Sequence, residues 1–386
     1  MKRPIVITLA TLAALGLATG AALGLRPEPP APASPAGKIF VTNVLGGVQT
    51  RDARSGQLIA DVETGLIPHA MLLSPDNARL YVSNIGSQSV SVLDTESGRK
   101  IKDLVVGELP DNAAHRALPP AKRGASCFEC HSVKSVGTSP NALAWTPDEK
   151  QLMVTETKLR SIAWLDPESG KTIKRHRYAL PGRVTPAHIL VHPRSKEIWV
   201  FHRYEDFLKD QQAKAHPVRP AYKGQHPSWI TVHSPDFSRE LARLEMKWEV
   251  PSDTALSLDG NTLYVSFRSS NMIGVFDTRK RQLVDQWAVG TTPTGLALSL
   301  DGKELYTACT FSVPAVVQVI DTRTGEVKAS LGIPPSPLML ALDPATGHVF
   351  VTLSGTNMVL EIDPKGQRIV KEHPAGHQPL GIALAP

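Results

Sequence analysis

From residue 38 onward the chain repeats one pattern of apolar and polar positions. A proline introduces an apolar segment, and a turn, an alternating segment, an Asp-containing turn and a further short strand follow. Alternation with a period of two residues predicts β-strands and excludes a helical solenoid. The unit occurs seven times, and its introducing prolines are Pro68, Pro140, Pro186, Pro251, Pro293, Pro337 and Pro379.

One unit predicts a four-stranded antiparallel meander. In the first complete unit the strands are expected over residues 69–74, 80–84, 89–94 and 101–106. An aspartate recurs at the end of the third strand in five units, and a carboxylate at that position bonds the amides of the following turn. A structural role is therefore expected for this set: Asp94, Asp166, Asp277, Asp321 and Asp363.

The spacing of the prolines predicts a closed ring of seven such units. The shorter spacings, 42 to 46 residues, match one blade of a β-propeller. The C-terminus supplies only a first strand, over 379–384, while 38–43, 47–52 and 58–62 supply the other three. We therefore predict an all-β fold, a seven-bladed β-propeller of four-stranded antiparallel blades, closed by N- and C-terminal strands within 38–386.

The segment Cys127-Phe128-Glu129-Cys130-His131 has the Cys-x-x-Cys-His spacing of covalent haem attachment. Two thiols at this spacing can bond both haem vinyl groups, and the next imidazole then reaches the iron. We interpret Cys127 and Cys130 as the attachment sites of one haem c and His131 as its proximal ligand.

Three other interpretations of the motif were weighed. A structural zinc needs four ligands, and no second Cys-x-x-Cys or matching histidine pair follows. A thioredoxin-like redox pair needs a βαβ setting, whereas residues 119–140 are rich in Pro, Gly and Ser. A plain disulfide is the third alternative. The export signal at the N-terminus favours haem c.

The repeat segments resemble the YVTN-type propeller repeat. They read FVTN at 40–43, YVSN at 81–84, YVSF at 264–267 and FVTL at 350–353. Such repeats are similar to the haem d1 propeller of cytochrome-cd-type nitrite reductases, and the resemblance covers residues 38–386. This chain departs from that family because its haem motif lies inside the propeller and no separate cytochrome domain exists. Nitrite reduction is therefore not implied.

Two proline spacings, 72 and 65 residues, indicate insertions. The first, 109–139, follows a fourth strand and contains the haem motif. The second, 204–225, joins a second strand to a third. In an antiparallel meander both connections fall on one face, so we expect the second insertion, with Tyr204, Phe207, Tyr222 and His216, to cover the haem.

The sixth haem ligand stays open. The candidates are His115, sixteen residues before His131, and histidines near the top of the third unit, chiefly His216 and His188. Met272 and Met358 begin third strands, where packing is the simpler role, and an open or water-bound iron is a further alternative. The remaining histidines of that top region are His202 and His226.

The N-terminus carries an export signal. Lys2 and Arg3 precede an apolar run within residues 1–25, and a Pro-rich linker covers 26–37. The run is either a cleaved signal peptide or an N-terminal membrane anchor. Both place the protein in the periplasm or on the outer face of the cytoplasmic membrane.

The net charge and the third cysteine add little to these predictions. The net charge of +6 suits an acidic periplasmic redox partner, and no long basic run predicts nucleic-acid binding. Cys309 has no partner for a disulfide, because the other two thiols are assigned to haem, and we expect it buried in a strand.

Four functions fit these features. The leading one is a monohaem cytochrome that exchanges electrons with a periplasmic partner. The second is an oxidoreductase whose c haem feeds a second tetrapyrrole, such as a d-type haem, in the channel, with His69 or His188 as ligand or proton donor. An open haem c that reacts itself, and a docking scaffold, are the others. No P-loop, dinucleotide fingerprint or nucleophile-base motif occurs.

Overall fold

The computed structural model describes residues 37–107, 138–181, 184–204, 228–246 and 250–385, all within the compact unit Ser34–Pro386. The described residues form 28 strands in seven four-stranded antiparallel sheets. The predicted seven-bladed propeller is therefore confirmed. The described part of the chain contains no helix long and apolar enough to cross a membrane.

The blades are numbered in chain order, and the last blade is the one that closes the ring. Blade 1 comprises β4 (Pro68–Leu73), β5 (Arg79–Asn84), β6 (Ser89–Asp94) and β7 (Lys100–Val105). Blade 2 comprises β8 (Pro140–Trp145), β9 (Leu152–Glu156), β10 (Ser161–Leu165) and β11 (Thr172–Arg177). Blade 3 comprises β12 (Val184–Val191), β13 (Ile198–Tyr204), β14 (Ser228–His233) and β15 (Glu240–Met246).

Blade 4 comprises β16 (Pro251–Leu256), β17 (Thr262–Phe267), β18 (Met272–Asp277) and β19 (Gln282–Ala288). Blade 5 comprises β20 (Pro293–Leu298), β21 (Glu304–Cys309), β22 (Val316–Asp321) and β23 (Val327–Gly332). Blade 6 comprises β24 (Pro337–Leu342), β25 (Val349–Leu353), β26 (Met358–Asp363) and β27 (Arg368–Pro374). Blade 7 comprises β28 (Pro379–Ala385), β1 (Lys38–Asn43), β2 (Gly47–Asp52) and β3 (Leu58–Val62).

Blade 7 closes the ring as the sequence predicts, because its inner strand comes from the C-terminus and its other strands from residue 38 onward. Lys38 pairs with Ala385, and Asn43 pairs with Pro379. The Gly381 amide also donates to Thr42 Oγ1 at 2.7 Å. The closure gives blade 7 the same four strands as the other blades and links the two ends of the described ring.

The hydrophobic core lies between neighbouring blades. Between blades 1 and 2, for example, Tyr81 and Val92 share one buried cluster with Leu143 and Val154. Trp145 meets Tyr81 edge to face at 5.2 Å between ring centroids, and its indole N–H donates to the Leu73 carbonyl at 2.7 Å. Each blade is therefore stabilised by burying its two faces against its neighbours.

The recurring aspartates have the structural role that was predicted. Asp94 Oδ1 accepts from the Ser97 amide at 2.7 Å and from the Ser97 hydroxyl at 2.6 Å. Asp321 accepts the amides of Arg323 and Thr324 in the equivalent turn. Hydrogen bonds from Ser97 lower the pKa of Asp94, because they stabilise the charged carboxylate.

The start of each inner strand is held by a repeated backbone contact. In five blades the residue before the introducing proline has left-handed φ, between 50° and 64°, as at Ile67 and Ser139. Its carbonyl is thereby turned towards the amide that follows the second strand: Ile67 accepts from Ile85 at 3.0 Å. For a β-branched residue such as Ile67 this φ is costly, so the contact fixes the channel mouth at the expense of local strain.

The face at which the inner strands begin is here called the upper face. Because the strands alternate in direction, β7 and β13 end at this face, and β8 and β14 begin there. The two longest internal stretches outside the description, 108–137 and 205–227, therefore depart from and return to the upper face. One boundary is corrected: Tyr204, expected in the second insertion, is the last residue of β13 and pairs with Val184.

Cys309 is confirmed as a buried residue of an apolar strand. It is the last residue of β21 and is fully buried. Burial raises the pKa of its thiol to about 12. The thiol is therefore protonated and unreactive at neutral pH.

Candidate functional site

A cavity of about 290 Å³, here called the polar cavity after the charged and imidazole groups in its wall, lies in the channel at the upper face. Its walls are formed by residues near the start of the inner strands and by residues at or just after the end of the second strands. Most of the wall is apolar, with Ile67, Ile85 and Leu380 among the lining residues. The charged and imidazole side chains of the wall are His69, His188, Arg203, Asp253 and Arg268.

His69 is the second residue of β4 and is enclosed by the channel wall. Burial, together with the charges of Arg203 and Arg268, lowers its pKa to about 4. Its imidazole is therefore neutral at pH 7. Its Nδ1 is buried and has no hydrogen-bond partner among the described residues.

His188 lies on β12 and contacts the next blade. Its Nε2 is 2.9 Å from Thr254 Oγ1 on β16, and its ring lies against Phe201 at 5.6 Å between centroids. Burial lowers the pKa of His188 to about 4, so this imidazole is also neutral at pH 7. The hydroxyl and Phe201 hold the ring in one orientation on the cavity wall.

Asp253 places a carboxylate in the same wall. Its Oδ1 accepts from the Thr254 amide at 2.8 Å, and its Oδ2 accepts from the Leu296 amide of blade 5 at 2.9 Å. Burial raises the pKa of Asp253 to about 6 despite these two bonds. The carboxylate is therefore mostly ionised at pH 7 and loses its charge as the pH falls below 6.

The repeat itself shows that these side chains are departures from the ordinary blade. In every blade the introducing proline pairs with one residue of the second strand, and the residue after that partner lines the upper face. Blades 3 and 4 have Arg203 and Arg268 at that position. The other five blades have small, hydroxyl-bearing or apolar residues there: Val44, Ile85, Thr157, Thr310 and Ser354.

A second repeat position departs in the same two blades. Two residues after the introducing proline, blade 3 has His188 and blade 4 has Asp253. The other blades have apolar residues or glycine there: Ala70, Ala142, Gly295, Met339 and Gly381. Polar groups are thus concentrated at equivalent positions of two adjacent blades, with His69 contributed by blade 1.

The sequence reasoning named His69 and His188 for the channel, and the structure brings both to one cavity. It missed Arg203, Asp253 and Arg268. The available signal was the comparison of equivalent repeat positions, because an arginine replaces a small or apolar residue at one of them. Among the described residues no cluster of three or more His, Cys, Asp or Glu side chains could hold a metal ion.

The predicted haem attachment residues Cys127, Cys130 and His131 lie outside the described residues, as do His115, His216 and His226. The points where their segments join the ring are described. Thr138 Oγ1 donates to the Val106 carbonyl at 3.0 Å, and a methyl group placed on Gly107 would clash with Thr138 at 2.3 Å. The stretch 108–137 therefore begins and ends at one point of the ring.

That point lies beside the cavity. Ser139 Oγ donates to the carbonyl of Ile85, which lines the cavity, at 3.1 Å. Arg203, another lining residue, is separated by Tyr204 alone from the second stretch, 205–227. Both stretches are therefore joined to the ring next to the channel mouth.

One ligand candidate is corrected by the structure. His202 is fully buried inside its blade, with Nε2 2.9 Å from Thr231 Oγ1 and Tyr178 against its ring at 4.4 Å. It does not reach the upper face, because alternate residues of a strand point to opposite sides and its neighbour Arg203 lines the cavity instead. Met358 packs against the core between blades 5 and 6, as expected for a packing residue.

These features define a class, a seven-bladed propeller with a polar cavity at one mouth of its channel. The family model "Lactonase, 7-bladed beta-propeller" matches residues 142–333, which is just under half of the chain and includes every charged or imidazole cavity residue except His69. No curated protein matches the sequence.

Solved structures with this fold cover nearly the whole chain. Hydrazine synthase from Kuenenia stuttgartiensis is 15% identical, covers 92% of this chain and 99% of its own, and gives a TM-score of 0.58. A protein from Bacteroides fragilis assigned as a 6-phosphogluconolactonase is 14% identical, with coverages of 90% and 98% and a TM-score of 0.65. A protein of unknown function from Desulfotomaculum acetoxidans is 14% identical and gives a TM-score of 0.60. The chain thus shares its propeller fold with these proteins.

Proposed function

We propose that this protein is an exported monohaem c-type cytochrome built on a β-propeller, which transfers electrons to or from a periplasmic redox partner. The observation that carries the proposal is the attachment of the Cys127–His131 segment to the ring. The stretch 108–137 leaves and returns at one pinned point, and all seven blades are complete without it. Its residues are therefore not needed for the propeller and are available for a separate task.

Two cysteines and a histidine at this spacing would hold the haem, with His131 as the proximal ligand. The bound haem would supply reversible one-electron transfer. His115, His216 and His188 remain the proposed sixth ligands. The described ring contributes His188, whose neutral imidazole is oriented by Thr254 at the upper face.

The proposed address and partner follow from the sequence. The export signal in residues 1–25 is consistent with a haem c, because a haem bonded through two thiols is expected in a protein of the periplasm. A net charge of +6 favours a partner of acidic surface. The N-terminal apolar run would either be removed or anchor the protein at the outer face of the membrane.

A second candidate is an oxidoreductase in which the haem c serves chemistry in the channel. The polar cavity beside both junctions favours it. Its volume, about 290 Å³, is at the small end of ligand pockets, which span about 300–1,000 Å³. The cavity therefore suits a small ligand better than a second tetrapyrrole such as a d-type haem, and no step through such a group is proposed.

Haem staining of a denaturing gel tests the proposal. The protein should be expressed with its own N-terminus in a host that exports and matures cytochromes c. We expect the wild type to stain and the double variant Cys127→Ala, Cys130→Ala to lose the stain. Cys309→Ala is the matched control and should stain like the wild type. Staining of the double variant, or an unstained wild type, would refute the haem assignment.

The optical spectrum of the same protein, oxidised and reduced, separates the two candidates. Sharp c-type bands alone support electron transfer. Additional long-wavelength bands would support a second tetrapyrrole and count against the small-ligand interpretation of the cavity. His131→Ala should keep the covalent stain and lose the low-spin bands, because the attachment is retained and the proximal ligand is removed.

A further inference from the structure

We propose that the channel mouth is a binding site for one small planar monoanion, a short-chain carboxylate or an inorganic oxyanion of similar size. The two arginines of blades 3 and 4 attract and orient the anion, and the imidazole of His69 completes its hydrogen bonding. The inference concerns the ring alone. It does not depend on the haem assignment, except that His188, if it were the sixth haem ligand, would be shared with this cavity.

The first argument is where the polar side chains occur. A propeller channel needs only small or apolar residues to pack, and five blades have them at the positions of Arg203 and Arg268. Placing cationic side chains in a partly enclosed wall costs desolvation free energy. Two adjacent blades have departed from the repeat at both wall positions, which is expected of a binding site and not of packing.

The net charge of the cavity wall also favours an anion. At pH 7 the wall holds two guanidinium groups and one carboxylate, Asp253, while His69 and His188 are neutral. The described polar wall therefore has a net charge of about +1. A single negative charge neutralises it, and a planar guanidinium presents N–H donors in the geometry that a carboxylate accepts.

The third argument is an incomplete set of hydrogen bonds. His188 bonds Thr254, and Asp253 accepts two backbone amides, so these groups are already oriented. His69 differs, because its Nδ1 is buried and has no partner among the described residues. A buried ring nitrogen without a partner is costly, and an oxygen atom of a bound ligand would satisfy it.

The size of the cavity limits the ligand. About 290 Å³ is enough for an acid of a few carbon atoms or for nitrate, and it is small for a nucleotide. The wall also includes the apolar residues Ile67, Ile85 and Leu380. A short apolar chain can therefore contact the wall while the acid group meets the arginines.

Titration calorimetry with the full-length protein tests the site. The probes are acetate, propionate and nitrate, with acetamide as the neutral analogue of acetate. We expect at least one of the anions to bind saturably, with one site per chain. The affinity for acetamide should be at least about tenfold weaker than the affinity for acetate. Tighter binding of propionate than of nitrate would identify the ligand as an organic acid. Tighter binding of nitrate would identify it as an inorganic oxyanion. No saturable binding of any of the three anions below about 10 mM would overturn the proposal.

Charge variants locate the site. Arg203→Gln and Arg268→Gln should each weaken the best anion by about tenfold or more, since each removes a charged hydrogen-bond donor. The matched control is Arg279→Gln, which removes the same charge from an exposed turn after β18. Wild-type affinity in both channel variants, or equal weakening in the control, would refute the site. Melting curves exclude unfolding, and Arg268→Lys supplies a second variant that retains the charge.

The pH dependence supplies an independent readout. Between pH 7 and 5 the histidines stay neutral and Asp253, with its pKa raised to about 6, becomes protonated. Anion binding should therefore tighten as the pH falls through 6, because a repelling charge is lost. Asp253→Asn should bind more tightly at pH 7 and show a flat profile. A profile unchanged by Asp253→Asn would contradict the assignment of this carboxylate to the site.

Haem staining distinguishes the two proposals. None of these substitutions touches the Cys-x-x-Cys-His segment, so every variant should stain like the wild type. Anion binding without staining would refute only the cytochrome, and staining without anion binding would refute only the channel site.

Discussion

Two groups of histidines with similarly low pKa values have different surroundings in the structure. The channel histidines, His69 and His188, line a cavity at the upper face. The blade histidines, His176, His202 and His233, lie in a cluster of aromatic side chains within and beside blade 3.

The blade cluster is filled. His233 stacks on Phe237 at 4.0 Å between centroids, and its Nε2 is 3.2 Å from the hydroxyl of Tyr178. Both His202 and His233 reach Thr231 Oγ1, at 2.9 and 3.0 Å. These imidazoles act as packing residues with hydrogen bonds to their neighbours.

The pKa does not distinguish the two groups, because burial lowers it to about 4 for His69, His188 and His233 alike. Open space beside the ring distinguishes them, because a buried Nδ1 without a partner among the described residues occurs at His69 and at His202 alike. A depressed histidine pKa therefore reports burial, and a cavity with an unsatisfied ring atom is the better indication of a ligand site.

The largest difference should be seen in stability. His233→Ala removes a ring from a filled cluster and should lower the free energy of unfolding by about 2–4 kcal/mol. His69→Ala enlarges an existing cavity and should cost less than about 1 kcal/mol. Denaturant unfolding of both variants measures this. Equal losses would erase the distinction between the two groups.

A smaller effect is expected from acid. A histidine whose pKa is lowered from 6.5 to about 4 by folding resists protonation in the native state. Its stabilising contribution is complete above pH 6.5 and is lost as the pH falls towards 4, by up to about 3 kcal/mol for His233. Asp253, with a raised pKa, acts in the opposite direction over pH 4–6.

Melting temperatures from pH 7 to 4 test this. His233→Gln and His69→Gln should flatten the acid loss by similar amounts, because burial lowers the pKa of both imidazoles to about 4. A clearly smaller effect of His69→Gln would show that water in the channel solvates the charged form of His69.

The smallest effect compares two threonines. Thr231→Val removes the partner of two buried imidazoles and should cost about 1–3 kcal/mol of stability. Thr254→Val removes the partner of His188, whose ring can turn to channel water, and should cost less than about 1 kcal/mol. Thr254→Val should nevertheless weaken anion binding, whereas Thr231→Val should not. Calorimetry and unfolding of the two proteins give the comparison.

The fold could be predicted from the sequence because its signal is local and repeated. The bounds expected for β1, β2, β3 and β6 match those observed, since alternation recurs in every unit and an aspartate ends or follows the third strand in every blade except blade 3. The closure of blade 7 followed from counting strands at the two ends.

The channel site could be predicted only in part. His69 and His188 stood out as histidines beside introducing prolines. Arg203 and Arg268 are 65 residues apart and meet only because equivalent positions of successive blades face one channel. His202 was misplaced by one residue of register, since adjacent residues of a strand face opposite sides. Periodicity alone does not give that register at a strand end.

The contact between Gly107 and Thr138 makes the stretch 108–137, which carries the Cys-x-x-Cys-His motif, a removable module. A short glycine linker between these two residues would excise 108–137 and leave every strand of the ring in place. The reverse exchange is equally direct: the stretch could be transplanted onto the same junction of another propeller. Lineages could acquire or discard such a module in one insertion or deletion, without redesigning the ring that carries it.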